Sequence, residues 1–134
     1  MARRKKSLTP LGETEMEVLQ LVWEMEEATV NDVRDVILEE RDVAYTTIMT
    51  VMKNLADKGY LKYRKDGVTY VYSPAQPPED VRFSLLENVL SKVFKGSPTA
   101  LVQALVQRQN LSDEQRRELR ALIDTLDDDD GDDL

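Results

Sequence analysis

Residues 42–74 read D-V-A-Y-T-T-I-M-T-V-M-K-N-L-A-D-K-G-Y-L-K-Y-R-K-D-G-V-T-Y-V-Y-S-P, and they leave few ways to fold. Ile48, Val51, Met52 and Leu55 recur at helical spacing, which predicts a helix over about 45–58 with one apolar face. Gly59 follows where a helix commonly stops in a left-handed conformation. Residues 60–65 and 68–73 are then two aromatic and β-branched runs around Asp66-Gly67, the strongest short-range hairpin signal a sequence offers. A helix leading straight into a two-stranded hairpin is the core of a winged helix. Such a helix is expected to enter a DNA major groove while the hairpin lies along the backbone.

The residues before this stretch supply the rest of that fold. Met16, Leu19, Val22 and Trp23 form the inward stripe of a helix over about 13–25, with Glu13, Glu15, Glu17 and Glu24 on its other faces. The acids of the first turn suit the helix dipole. Trp23 reads as core rather than as a binding group, since a lone aromatic at helical spacing usually packs. Residues 28–30 make a short extended break. Thr29 is a good N-cap for a second helix to about residue 40, with Asp32 three positions on as an imperfect capping box. Val33, Val36 and Ile37 form its buried stripe. Helix, extended segment, helix, helix, hairpin is a winged helix-turn-helix over residues 13–74.

After it, Pro74-Ala-Gln-Pro-Pro78 breaks the pattern, and 75–78 reads as a linker. A long helix over about 79–94 pairs Leu85 with Leu86, Val89 with Leu90, and Val93 with Phe94 before Gly96. Ser97-Pro98 opens the next helix, which carries Leu101, Val102, Leu105 and Val106. Ser112-Asp-Glu-Gln115 is a capping-box pattern for a last helix with Leu119, Leu122, Ile123 and Leu126. Three helices over 79–126 have too little interior to stand alone. Burial against an identical copy is the expected solution, through Leu86, Val89, Leu90, Val93, Leu101, Leu105, Leu119, Leu122 and Ile123; folding back onto the first domain is the alternative. The fold class is therefore mainly α with a small β-hairpin: a winged helix-turn-helix followed by a helical dimerisation region. Residues 1–12 read as a flexible basic arm that adds phosphate contacts or only aids solubility. The Asp-rich residues 127–134 read as a disordered, self-repelling tail.

Composition narrows the function. The chain of 134 residues has neither cysteine nor histidine, which removes disulfides, thiolate metal sites, the usual general base and the usual transition-metal ligands. No catalytic, cofactor or metal site is expected, and an enzyme is disfavoured. No apolar run approaches the roughly 18 residues needed to insert into a membrane. The basic residues 3–6 lack a following apolar segment, so a cytoplasmic protein is expected. The net charge of −8 looks wrong for binding DNA, but its distribution does not. Residues 1–12 carry +4 and residues 43–76 carry +3, whereas residues 13–42 carry −9 and residues 77–134 carry −6. The parts that would face phosphates are the basic ones.

With Ile48, Val51, Met52 and Leu55 inward, Thr46, Thr47, Thr50, Lys53 and Asn54 point outward and Met49 lies near the boundary. Threonine offers a hydroxyl to base edges or phosphates and a methyl group to thymine. The helix start at Tyr45-Thr46-Thr47 presents backbone N–H groups suited to a phosphate oxygen. In the wing, Lys62, Arg64 and Lys65 are candidates for phosphate contact. Tyr70 and Tyr72 are more at home in sheet packing than in base stacking.

The chain resembles the penicillinase-repressor family of bacterial winged-helix regulators (the BlaI and MecI type). The resemblance is carried by Leu8-Thr-Pro-Leu, Glu15-Met-Glu-Val-Leu with Val22-Trp23, Ala44-Tyr-Thr-Thr-Ile-Met-Thr-Val-Met, residues 55–59 and Val68-Thr-Tyr-Val-Tyr-Ser-Pro74. Lys92-Val-Phe-Lys-Gly96 and Leu111-Ser112 extend it over about 8–126. It implies a homodimeric repressor that binds a palindromic double-stranded DNA operator, reads it at Thr46, Thr47 and Thr50, and dimerises through its C-terminal helices. In many members a membrane-bound metalloprotease sensor triggers cleavage of the repressor. The bond aligned with the Asn-Phe cut in resistance repressors is Ala104-Leu105 here. Asn54 stands where the family commonly has arginine, and the cysteine pairs of copper-responsive relatives are absent. Two other functions compete: a protein-binding module using the acidic face of residues 13–42, and a repressor induced by a small ligand.

Overall fold

The computed structural model describes residues 11–133, and for residue 109 and residues 126–133 the backbone alone. The elements follow in the order α1 (Glu13–Met25), α2 (Val30–Leu38), α3 (Tyr45–Asp57), β1 (Leu61–Asp66), β2 (Thr69–Pro74), α4 (Pro78–Val93), α5 (Pro98–Gln109) and α6 (Asp113–Asp133). The chain divides into two compact units between Val89 and Leu90.

In the first unit the three helices and the hairpin close on one core. Val18, Leu19 and Val22 of α1, Val33 and Ile37 of α2, Ile48, Met52 and Leu55 of α3, and Tyr60, Leu61 and Tyr72 around the hairpin are all buried. Each large apolar side chain so buried contributes roughly 1.5–3 kcal/mol, which fixes α3 through three of its residues. The inward arc of α1 is centred on Val18, Leu19 and Val22, and Met16 and Trp23 are only half-buried at its edge. The helix meets α2, α3 and β2, so its buried arc turns toward Val18.

In α2 the buried stripe is Val30, Val33 and Ile37, and Val36 is exposed, contrary to expectation. Val36 is one position, about 100° of helix rotation, away from Ile37. The helix also stops earlier, because the N–H groups of Glu40 and Arg41 turn back to the Ile37 carbonyl. Its start is a full reciprocal box. Thr29 Oγ1 accepts from the Asp32 N–H at 3.1 Å, and Asp32 Oδ2 accepts from the Thr29 N–H at 3.0 Å. The preceding residue is more than a break: Ala28 exchanges both backbone hydrogen bonds with Tyr72, at 2.9 and 2.8 Å, along the free edge of β2.

The hairpin is antiparallel, with Leu61 opposite Pro74 and Asp66 opposite Thr69. Its two-residue loop is therefore Gly67-Val68, one position beyond the expected Asp66-Gly67. Gly67 has φ +66° and Val68 does not share the positive φ, so the glycine takes the first loop position, as a type II′ turn requires. Gly59, at φ +91°, ends the α3 segment as its position predicts.

Two expected boundaries move. Leu11 packs against the core and Gly12 opens α1, so these two residues belong to the domain rather than to an arm. Residues 1–10 lie outside the described residues. Residues 75–78 are not a free linker. The Ala75 N–H bonds the Tyr60 carbonyl at 3.0 Å, and the Gln76 amide bonds the Gly59 carbonyl at 2.9 Å. Val81 is fully buried and Leu85 packs on the same core, which draws the first turns of α4 into the first unit.

The second unit is capped as its sequence predicts. Ser97 Oγ accepts from the Ala100 N–H at 3.1 Å ahead of Pro98. Ser112 and Gln115 form a reciprocal box at 3.0 and 3.1 Å. The backbone of α6 runs through Asp133, so the break expected at Asp127 is absent; extending an existing helix adds one hydrogen bond per residue fixed, without a new nucleus. Among the described side chains of residues 90–125, none is buried.

Candidate nucleic-acid interface

Helix α3 has two sharply different sides. Ile48, Met52 and Leu55 are 0% exposed, with Val51 half-buried beside them. On the opposite side Thr46, Thr47, Thr50, Lys53 and Asn54 are exposed and Met49 is half-buried. Tyr45 is 43% exposed at the helix start. Ala44, the N-cap, offers no side-chain acceptor, and the first turn closes with the Thr47 N–H on the Ala44 carbonyl at 3.1 Å. Among the described residues no acceptor meets the Tyr45 and Thr46 N–H groups, so an incoming anion finds the positive end of the helix open.

The scaffold grips α3 at both ends. Before its start, Arg34 Nε donates to the Val43 carbonyl at 2.9 Å and sets the turn between α2 and α3. At its end, Lys58 Nζ lies 2.8 and 2.9 Å from the two oxygens of Glu15, and Gln76 holds the Gly59 carbonyl. Arg41 adds a two-pronged pair with Glu17 at 3.1 and 2.7 Å. Lys58, counted from sequence among the basic residues of this region, is thus tied to α1. Periodicity could not have found these contacts, because it carries no information on which distant side chain a charge meets.

Burial pushes the Glu15 carboxyl up, but the Lys58 hydrogen bonds, the Gly12 N–H and the Lys58 charge together bring it below its usual 4.5. The Arg41 hydrogen bonds hold Glu17 down, against a smaller opposing effect of burial. A carboxyl lowered in the folded state stabilises the fold above its unfolded pKa, and that stabilisation is lost as pH falls through the folded value. Melting temperature is therefore expected to drop on acidification below about pH 4.5. Glu15→Gln should cost about 1–2 kcal/mol at neutral pH and flatten that acid limb. An unchanged limb in thermal scans of the variant would remove Glu15 from the account.

The hairpin offers its cations on two faces. Successive strand residues alternate, so Lys65, opposite Tyr70, shares a face with Tyr63 and Tyr72, while Lys62 and Arg64 lie on the other. Lys62, Arg64 and Lys65 are exposed. Arg64 is paired with Glu27 at 3.1 Å and lies 3.9 Å from Asp66; these exposed pairs are weak enough to yield to a phosphate. The tyrosines pack on one another, with Tyr63 centroids 5.0 Å from Tyr70 and 5.6 Å from Tyr72. Tyr72 is buried and Tyr70 half-exposed. A cleft of about 290 Å³ lined by Tyr45, Met49 and Lys53 of α3 and by Tyr70 and Tyr72 of β2 joins helix and wing into one surface.

In a comparison with known families, the model described as penicillinase repressor matches residues 11–125. The chain belongs to the penicillinase-repressor family. Within it, the chain is similar to the methicillin resistance regulatory protein MecI of Mammaliicoccus sciuri, at 28% identity over 84% of this chain and 92% of that protein. It is also similar to the transcriptional regulator BlaI of Mycobacterium tuberculosis, at 32% identity over 75% of each. Among solved structures, the complex structure of hsRosR-S1 shares the fold with a TM-score of 0.54 at 17% identity, over 90% of this chain and 94% of that one. Penicillinase repressors are DNA-binding transcriptional regulators and not enzymes, and this member has the winged helix to match.

The remaining candidate positions of this repressor lie in α4, α5 and α6. Leu86, Val89, Val93, Leu105, Leu119, Leu122 and Ile123 are exposed, and Leu90 and Leu101 are half-buried. Ala104 and Leu105 lie inside α5, so a protease would meet their bond only after the helix unwinds locally. Among the described residues no cluster of carboxylates is placed to hold a metal ion, and no helix is long and apolar enough to cross a membrane.

Proposed function

We propose that this repressor acts as a cytoplasmic homodimer on a palindromic operator, with α3 in the major groove and the hairpin along the backbone. The observation that carries it is the division of α3 into a core side and an outward side of three threonines, gripped at both ends. Thr46, Thr47 and Thr50 read base edges, with Met49 supplying apolar contact. The open first turn at Tyr45 takes a phosphate, and Lys53, Asn54, Lys62, Arg64 and Lys65 contact the backbone on either side. The second unit supports the dimer: Val93, Leu122 and Ile123 are 65%, 62% and 54% exposed, more apolar surface than a unit of this size leaves in water. A twofold pair presents two copies of α3, which a palindrome matches. In the family pattern, relief comes from a membrane-bound metalloprotease sensor and a cut at Ala104-Leu105, which would separate α6 from the rest of the pairing surface.

Gel-shift titration on duplex from the chain's own upstream region tests the proposal. Affinity should fall steeply between low and physiological salt, because several phosphate contacts release counterions. Absence of any shift at low salt would favour the protein-binding function for the acidic face. Thr47→Ala should cost on the order of 1–3 kcal/mol on the specific site and little on random DNA. Equal losses on both would reassign Thr47 to the backbone.

A further inference from the structure

Helix α1 borders two contiguous hollows of about 860 and 540 Å³ that share Met16, Gln20 and Glu24. Together they form a groove within the first unit. One end opens at Leu11-Gly12, where the described chain begins, and the other reaches Trp23, Pro78 and Glu79. The floor is apolar, from Met16, Trp23 and Leu85. The rim is acidic: Glu13, Glu24 and Glu79 have no ion-pair partner among the described residues, whereas Glu17 is engaged by Arg41. The one cation in the lining, Arg82, has its guanidinium 4.9 Å from the Trp23 ring centroid.

A groove with an apolar floor and a carboxylate rim fits a segment of long cationic side chains, whose stems pack on the floor while their heads meet the rim. We propose that its occupant is this chain's own Arg3-Arg4-Lys5-Lys6, docked along α1 when no DNA is bound. Those four cations have no acid among them and stand five to eight positions before Leu11 in sequence. An extended chain reaches ~17 Å from Leu11 back to Lys6 and ~26 Å to Arg3. Along α1, Glu24 lies ~17 Å beyond Glu13, so the part of the rim on α1 is within reach. A separate basic peptide would pay for lost translational freedom. The tether instead supplies an effective concentration on the order of millimolar, so weak pairs suffice. The docked cations are the ones a DNA backbone would otherwise attract, so acidic groove and phosphate compete for one segment. The docking itself does not rest on the DNA reading.

The sequence makes the test clean, because Trp23 is the only tryptophan and there is no cysteine. Ala2→Cys in the full chain carries a nitroxide quencher, and Trp23 emission is read without DNA. Emission should be quenched about twofold at low salt and recover by roughly 0.5 M salt, where screening acts within a few ångströms. Replacing Arg3, Arg4, Lys5 and Lys6 by glutamine should abolish the quenching, and so should Glu13→Gln, Glu24→Gln and Glu79→Gln together. No quenching at low salt, or quenching that survives both sets of changes, overturns the proposal. Labelled Trp23→Phe chains mixed with unlabelled native chains test for docking in trans. A bright mixture supports the same-chain arm, and a quenched one overturns it. Duplex added to the labelled native chain should restore emission. A chain that shifts duplex normally but shows no quenching loses the docking and keeps the repressor function.

Discussion

A chain ending at Val89 is expected to sediment as a monomer at concentrations where the full chain is a dimer. It should also bind a two-half-site operator about 10²–10⁴-fold more weakly, the range lost when a second linked contact is removed. The cut is placed there because Val81 is fully buried and Leu85 packs on the core of the first unit. Truncation at residue 77, where composition alone marks a linker, would open a hole in the core of the first unit and confuse lost pairing with lost folding. A chain ending at Val89 keeps every buried side chain of the first unit, along with the ties that grip α3. On a single half-site it should therefore bind about as well as the full chain does. Sedimentation and gel shifts on one and two half-sites separate the outcomes. A fragment that still pairs, or one that loses less than about threefold on the full operator, would move dimerisation away from the second unit.

Much of this molecule was legible in its sequence, and the reasons are local. Ile48, Met52 and Leu55 stand at helical spacing, and Gly59 ends their run with a positive φ that other residues resist. Thr29 with Asp32, and Ser112 with Gln115, announce helix starts because each pair can satisfy two backbone groups at once. The hairpin was clear but its loop was misplaced by one, because Asp-Gly and Gly-Val both put glycine at a permissible turn position. What stayed hidden depends on the third dimension. Val81 looks like one apolar residue of an amphipathic helix, and nothing nearby in sequence says that it plugs the first unit rather than facing a partner. Lys58 and Arg34 carry no local signal of a partner; one pairs with Glu15 of α1 and the other donates to the Val43 carbonyl. The outward face of α3 emerged correctly because it is the complement of its buried stripe. Which of its residues touch bases is a property of the complex.

Replacing Tyr72 by alanine is expected to be the most damaging single change in the first unit, at about 3–5 kcal/mol for a buried aromatic. The side chain is 1% exposed, its ring packs on Tyr63, and its backbone exchanges two hydrogen bonds with Ala28. It is where the wing, the bridging Ala28 before α2 and the helices meet. Small domains have only about 5–15 kcal/mol of stability in total, so the loss should lower the melting temperature by more than about 10 °C. Burial also raises the Tyr72 phenol above its usual pKa of 10.0, so the hydroxyl is neutral at any working pH. Tyr72→Phe removes only that hydroxyl and should retain most of the stability, which assigns the loss in Tyr72→Ala to the packing of the ring. Tyr70→Ala, on the same sheet face but 44% exposed, should cost under about 1 kcal/mol and act mainly on DNA affinity. The contrast is decisive because both tyrosines lie in one strand and differ chiefly in burial. Should denaturant titrations show Tyr70→Ala as damaging as Tyr72→Ala, the wing would be held by its aromatic surface and not by its anchor in the core, and the rigid presentation of helix and hairpin to one duplex would lose its basis.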